Sequence, residues 1–239
     1  MIDVKGKTFV ITGTSSGIGL FLAKELLKKK CNVIGLSRKK TNINNKMFSN
    51  LYVDLTSNIE IEKFYKKFKK KFKKIDVLIN NAGISVPGNN LKAFEANIKT
   101  NLISTFYLNS KLFSHIRSGG KIINISSIAS IYGFENNPGY NSSKAALNSL
   151  TRSLANDLAK DKIFCNTLSL GYFRTKITEK SFSNSKKNKN RLNQTVLKRW
   201  GKMQDILGPV LFLSSSMSNY ITGQNINVDG GWSIKGFKF

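Results

Sequence analysis

Acidic residues are scarce in this chain: 13 Asp and Glu stand against 39 Lys and Arg in 239 residues, a formal net charge of +26. Histidine occurs once and cysteine twice. The two cysteines, Cys31 and Cys165, make neither a disulfide framework nor a metal-ligand spacing, so no metal site is expected. Each falls at the edge of an expected strand, where a buried, reduced thiol suits a cytoplasmic protein. Long hydrophobic runs are missing as well. Stretches such as residues 77–79 and 122–125 are short and interrupted, far from the roughly 20 apolar residues of a membrane span, so no membrane association is expected. The opening residues Met1-Ile2-Asp3-Val4-Lys5-Gly6-Lys7 lead straight into a strand and carry no signal-peptide apolar core. With no internal repeat and no Pro/Gly/Ser linker, residues 1–239 are expected to form a single domain.

Two explanations of the charge compete. Attraction of nucleic acid, an anionic membrane or an acidic substrate is one. Against it, only six of the 39 basic residues are arginine, and Asn, Ile and Phe are abundant too. That skew resembles genome-wide drift, which spreads charge over the whole surface. Drift is the reading adopted, and nucleic acid is not expected as a partner. The hydrophobic content of 40% is ordinary for a globular protein.

Strand and helix patterns alternate from end to end, which implies an α/β fold with a parallel sheet. Strands are expected at 8–12, 32–36, 50–53, 76–79, 121–125, 163–169 and 225–228. Helices are expected at 18–30, 60–74, 91–115, 139–159 and 205–215. In the second of these, Phe64, Phe68 and Phe72 recur at four-residue spacing with lysines opposite, an apolar stripe that packs on the sheet. Residues 175–194, rich in Lys, Asn and Ser, suit a mobile lid spanning about residues 175–197.

Two motifs carry chemistry. Thr12-Gly13-Thr14-Ser15-Ser16-Gly17-Ile18-Gly19 sits where the first strand turns into the first helix. Glycines there permit a tight turn and close approach of a pyrophosphate, which the helix N-terminus attracts. The spacing departs from G-x-G-x-x-G, so alone the turn is weak evidence. Tyr140 and Lys144 stand four apart on an expected helix and share a face. An ammonium beside a phenol favours the phenolate and pulls its pKa below about 10, fitting the tyrosine for proton transfer. Alone, this spacing is common.

Together with Asn80-Asn81-Ala82-Gly83, Asn101, Ser127 thirteen positions before Tyr140, and the tail Thr222-Gly223-Gln224-x-x-x-Val228-Asp229-Gly230-Gly231, these motifs give a sequence that closely resembles the short-chain dehydrogenase/reductase family. The likeness runs from Lys7 to about Trp232 and implies a single Rossmann-type, doubly wound parallel sheet with helices on both faces. It implies that Tyr140 is the general acid or base, Lys144 tunes it and binds the nicotinamide ribose, Ser127 orients the substrate oxygen, and Asn101 holds a water in a proton relay. It places Gly13, Ser15, Ser16, Gly17, Ile18 and Gly19 at the cofactor pyrophosphate. Asp54 and Leu55 fall at the adenine, Asn81, Ala82 and Gly83 at its ribose, and Gly171, Phe173 and Thr175 at the nicotinamide.

NAD-preferring relatives end the second strand with an acidic residue. Here that position is Ser37, followed by Arg38, which could hydrogen-bond and neutralise a 2′-phosphate; NADP(H) is expected. Leu170 stands where the family has proline, and a looser lid entrance is the expectation. The spelling looks most like 3-oxoacyl-(acyl-carrier-protein) reductases, for which Arg117 and Lys162 are candidate carrier contacts. A sugar or sugar-acid dehydrogenase is the alternative, with Arg174, Lys176 and Lys180 as candidate anion contacts. The expected substrate is therefore a small-molecule or carrier-bound carbonyl compound, with an anionic one among the candidates. A cofactor-binding regulator or nucleic-acid-binding protein is the non-enzymatic alternative. His115 and Trp200 read as structural residues. Apolar residues including Phe106, Leu147 and Leu150 on the long helices imply a homodimer or homotetramer.

Overall fold

The computed structural model describes residues 2–235; Met1 and residues 236–239 of the expected one-domain span lie outside the described residues. The strands are β1 (Thr8–Thr12), β2 (Asn32–Ser37), β3 (Phe48–Tyr52), β4 (Ile75–Asn80), β5 (Ile116–Ser127), β6 (Phe164–Leu170) and β7 (Asn225–Val228). The helices are α1 (Gly17–Lys28), α2 (Asn58–Lys71), α3 (Leu91–Ile98), α4 (Ser104–Leu112), α5 (Pro138–Asp157), α6 (Glu179–Ser183), α7 (Ser185–Gln194) and α8 (Met203–Leu213).

The strands form one sheet in the order β3-β2-β1-β4-β5-β6-β7, with every neighbouring pair parallel. The chain winds from β1 out to β3, returns to β4, and winds outward again to β7. The order reverses between β1 and β4, and the crevice beyond the carboxyl ends of those strands is where such sheets bind ligands.

A parallel sheet must bury both faces. Alternate residues therefore divide between two layers: Phe9 and Ile11 pack with Leu22 and Leu26 of α1 and Ile206 and Val210 of α8. Val10 packs on the other face with Phe64 and Phe68 of α2, Leu108 of α4 and Leu154 of α5. The aromatic stripe of α2 thus does what its spacing implies, with Phe64 and Phe68 ring centroids 5.5 Å apart. Ser57 starts that helix by accepting a hydrogen bond from the Glu60 amide at 3.3 Å.

The helix expected over 91–115 is not continuous. Between α3 and α4 lies a π turn, Lys99–Ile103, and a 3-10 turn, Phe113–His115, follows α4. Side chains support the altered turn: Ser104 Oγ donates to the Lys99 carbonyl at 2.8 Å, and Thr105 Oγ1 to the Asn101 carbonyl at 3.1 Å. Periodicity alone gives no sign of the extra residue, which matters because it aims Asn101 inward. No helix among the described residues is long and apolar enough to cross a membrane.

Candidate active site

The glycine-rich turn is built by close contacts. Gly13 takes φ +76°, and a Cβ there would come within 3.0 Å of Asn81 Nδ2 and 3.1 Å of Ala82 Cα. A Cβ at Gly19 would fall 2.4 Å from the Gly13 carbonyl oxygen, so only glycine lets α1 close on the turn. Thr12 Oγ1 accepts from the amides of Asn81 (2.9 Å) and Ala82 (2.8 Å), and Asn81 Nδ2 donates to the Thr12 carbonyl at 2.8 Å. The Asn81 side chain is thus a brace between β1 and β4. Ser16, ahead of α1, makes no side-chain cap, which leaves the first-turn amides without a side-chain acceptor.

These elements enclose a cavity of about 560 Å³ at the switch point. Gly13, Ser15, Ser16, Gly17, Ile18, Ser37, Arg38, Asp54, Leu55, Asn81, Ala82, Gly83, Ser127, Tyr140, Lys144, Gly171, Phe173 and Thr175 all line it. Of the residues expected at the site, Gly19 and Asn101 do not. The sequence reading missed Leu36, Val53, Ile84, Thr100 and Thr178, which also line it. Most are wall positions whose type carries no chemical signal. Thr178 could have been noticed from its spacing to Thr175: its hydroxyl accepts from the Thr175 amide at 3.0 Å and donates to the Phe173 carbonyl.

At the β2 end, Ser37 Oγ donates to the Lys39 carbonyl at 2.6 Å, and Arg38 is exposed beside the cavity. Burial raises the Asp54 pKa, but hydrogen bonds from the Thr56 amide and hydroxyl (2.9 and 2.8 Å) and the charges of Arg38 and Lys99 outweigh it, leaving the carboxyl below its ordinary range.

At the other end, Ser127 closes β5, and Tyr140 and Lys144 project from α5. Gly139 lets that helix pack tightly, since a Cβ there would lie 2.6 Å from Phe94 Cα of α3. Lys144 is only 5% exposed, and burial pushes its ammonium down to about 8. Its Nζ donates to the Ile125 carbonyl at 2.9 Å and lies 5.8 Å from the Tyr140 ring centroid. The Tyr140 phenol is not depressed as expected. Burial raises its pKa, and a hydrogen bond with Ser127 only partly opposes this. The lysine is held by a backbone carbonyl, so desolvation decides the direction. Ser126 turns away, its Oγ buried and donating to the Lys144 carbonyl at 3.3 Å.

Asn101 lies just behind, buried. Its Oδ1 accepts from the Ile84 amide at 2.8 Å, and its Nδ2 donates to the Ile84 carbonyl (2.9 Å) and to Ser143 Oγ (3.0 Å). Gly83 separates it from Lys144: a Cβ there would sit 3.2 Å from Asn101 Oδ1 and 3.5 Å from Lys144 Nζ.

Other expectations need correction. Leu170 does not loosen the lid entrance: it is buried, extends β6 by pairing with Ser127 and Val228, and is followed by a Gly171 amide bond to the Val228 carbonyl at 3.0 Å. Proline cannot extend a strand in this way. The lid segment holds two helices, α6 and α7, the second capped by Asn184 Oδ1 accepting from the Lys187 amide at 2.9 Å. Arg174 is committed to Glu179 at 2.9 Å. Arg117 and Lys162 lie at the amino ends of β5 and β6, across the sheet from the cavity, and Arg117 pairs with Asp76 at 3.4 Å. Leu147 is 2% exposed and has no face to offer a partner, whereas Phe106 is exposed. His115 and Trp200, by contrast, pack as their structural reading implies: the His115 ring is edge-on to Phe68 with centroids 5.3 Å apart. Trp200 packs against Tyr172 and Phe182.

Residues 13–233 match the family model described as enoyl-(acyl carrier protein) reductase. The 2-dehydro-3-deoxy-D-gluconate 5-dehydrogenase of Dickeya dadantii is 33% identical over 244 residues, 96% of each chain. The 3-oxoacyl-(acyl-carrier-protein) reductase of Buchnera aphidicola subsp. Acyrthosiphon pisum is 36% identical over 246 residues, 96% of this chain and 98% of its own. Among solved structures, 4-hydroxyisoleucine dehydrogenase complexed with NADH superposes with a TM-score of 0.90 at 30% identity, over 97% of this chain and 100% of that one. A gluconate 5-dehydrogenase from Burkholderia cenocepacia J2315 in complex with NADP and tartrate gives 0.89 at 25% identity, over 98% of both chains.

Proposed function

Because the chain belongs to the short-chain dehydrogenase/reductase family, and so is a nicotinamide-dependent oxidoreductase of CH–OH and C=O groups, we propose that it uses NADP(H) and moves the proton through Tyr140. The observation that carries this reading is the single cavity joining Arg38 at one end to Ser127, Tyr140 and Lys144 at the other.

The residues fit a dinucleotide. The cradle that a Cβ at Gly13 or Gly19 would fill, together with the first-turn amides of α1, suits a pyrophosphate. Asp54 and Leu55 border the adenine end, and the backbone from Asn81 to Gly83 borders its ribose. Arg38 supplies a charge for a 2′-phosphate at a position with no carboxylate to repel it. Phe173 and Thr175 border the carboxamide. When bound, the nicotinamide ring supplies or receives the hydride.

Tyr140, held protonated by burial, donates its hydroxyl proton to the substrate oxygen during reduction and takes it back during oxidation. Ser127, which lines the cavity together with Tyr140, holds that oxygen in place. Lys144 returns the proton to Tyr140 and binds ribose hydroxyls; an ammonium titrating near 8 gives and takes protons near neutrality. Asn101 uses its whole side chain on Ile84 and Ser143, so its backbone carbonyl is the group that would hold a relay water.

Steady-state NADPH oxidation tests the assignment. Tyr140→Phe is expected to lower kcat by about 1000-fold, with NADPH affinity unchanged. Arg38→Ala is expected to raise the KM for NADPH about tenfold and leave that for NADH alone, roughly the worth of one exposed charge-assisted contact. Full turnover in Tyr140→Phe would overturn the proton path, and equal use of NADH by the parent protein would overturn the cofactor preference.

Among substrates, a 3-oxoacyl thioester is one reading and a sugar acid the second. The position of Arg117 and Lys162, across the sheet from the cavity, favours the second by removing the carrier contacts that motivated the first. The reading includes a single working domain, a cytoplasmic setting, and a homodimer or homotetramer formed through the exposed Ile103 and Phe106. Light scattering that finds only monomer would refute the assembly.

A further inference from the structure

Gly171 lines the reaction cavity, and the residue after it, Tyr172, belongs to a cluster of aromatic rings. The Tyr172 ring centroid lies 5.3 Å from that of Trp200 and 6.0 Å from that of Trp232, and Phe134 lies 5.6 Å from Trp232. Tyr172 is near enough to Tyr140 for their charges to interact. Burial pushes its phenol up to about 12, with Arg191 pulling it down and Tyr140 adding to the rise.

Arg191 of α7 reaches this cluster, its Cζ 4.6 Å from the Tyr172 centroid and 5.9 Å from that of Phe134. Of the six arginines it is the one that is not exposed. Arg117, Arg174 and Arg199 each hold a carboxylate, whereas Arg191 has no ion pair among the described residues. Its Nε is buried without a hydrogen-bond partner, and so is the indole Nε1 of Trp232 in the same cluster. Two orphaned donors beside a stacked guanidinium are costly to desolvate, and stacking offsets only part of that cost. The helix that carries Arg191 is held in place, since Trp200 Nε1 donates to Asn188 Oδ1 at 2.8 Å.

We propose that Arg191 determines substrate specificity: its Nε edge receives the carboxylate of a hydroxy- or oxo-acid, and Trp232 Nε1 donates to one of that substrate's oxygens. The Nε–Nη edge of a guanidinium matches a carboxylate with two parallel hydrogen bonds. The carbon skeleton then lies along the Tyr172 and Trp232 rings, with its reacting carbon next to Tyr140. This inference rests on the oxidoreductase reading above and narrows its substrate to a polyhydroxy acid.

The only two tryptophans of the chain, Trp200 and Trp232, both belong to this cluster, so intrinsic fluorescence reports its occupancy. With NADP+ bound, D-gluconate is expected to give a saturable change and the neutral polyol sorbitol none. Arg191→Gln should weaken gluconate by about tenfold or more while NADPH affinity stays as it was. In NADPH oxidation, the same variant should lower kcat/KM for an oxo-acid about 100-fold and for its neutral amide less than about threefold. Should Arg191→Gln fail to fold, Arg191→Lys carries the same comparison, because it keeps the charge and loses the fork. Equal losses on acid and amide would overturn the proposal. So would a response to sorbitol matching that to gluconate, or inorganic phosphate binding more tightly than gluconate. A gluconate-specific signal in a protein that oxidises NADPH with no carbonyl compound would support the anion site and remove the reaction it was meant to serve.

Discussion

Two lysines, one on a strand and one on a helix packed against the sheet, are buried with no ion pair among the described residues, and burial pushes both ammonium groups down to about 8. Lys121 sits toward the start of β5, where its Nζ donates to Asn219 Oδ1 at 2.7 Å and lies 3.6 Å from the Phe164 ring centroid. Lys144 sits at the opposite end of the sheet, bound to a backbone carbonyl, with a phenol beside it and a cavity of about 560 Å³ in front. The same electrostatic perturbation therefore occurs twice in one protein. A depressed pKa reports desolvation; the neighbours decide whether chemistry follows. At Lys144 the neighbours are Tyr140, Gly83 and an open cavity, and at Lys121 they are an amide and a ring.

Removing each charge tests that distinction most severely. Lys144→Met is expected to cut kcat/KM for NADPH-dependent reduction by about 100- to 1000-fold, while Lys121→Met stays within about threefold of the parent. Comparable losses in both would erase the difference between the two ends of the sheet.

A stability measurement should show the opposite, shared side of the two lysines. In the folded protein Lys144 titrates near 8, against 10.5 for a free side chain. Below 8 both folded and unfolded chains carry the proton, and the burial penalty is present in full. As pH rises from 8 to 10.5 the unfolded chain binds more protons, so stability should climb with pH. Urea denaturation across that window should reveal the climb. Lys144→Met should flatten it and raise stability at pH 7 by up to about 3 kcal/mol. Lys121→Met should act in the same direction. A destabilised Lys144→Met would mean that the bond to Ile125 outweighs desolvation.

The smallest effect is expected at Asn219. Asn219→Ala leaves the Lys121 ammonium without its acceptor, so stability should fall by about 1–3 kcal/mol, with turnover unchanged. A change in turnover would give Lys121 a link to the site that its position does not suggest.

Most of the fold was legible because its signals are local. Each expected strand formed within a few residues of its reading, apart from β5, which begins at Ile116 rather than Lys121. There Arg117, Ser118, Gly119 and Gly120 lack the apolar pattern of a strand, and pairing with β4 recruits only part of the stretch. The break at Lys99–Ile103 was hidden because a π turn keeps helical composition. The cavity-lining residues were readable from motifs at strand ends, where glycine, serine and tyrosine have few other reasons to recur in that order.

What could not be read were directions and partners. Nothing local shows that Lys144 bonds to Ile125, nineteen residues away, or that burial raises the Tyr140 phenol. Likewise, nothing local distinguishes Arg174 from Arg191, both of which fall near or in the segment expected to form the lid. Folding gives the first a carboxylate five residues on and leaves the second over Tyr172 with an unpaired Nε.

The sequence by itself determined the alternation of strands and helices, the glycine turn, and the one-turn spacing of Tyr140 and Lys144, because periodicity and backbone sterics act between near neighbours. Tertiary structure alone decided which charges lose water, which of the two buried lysines faces a cavity, and which arginine is left without a partner. Those outcomes depend on desolvation and packing between segments far apart in the chain, which no local pattern encodes.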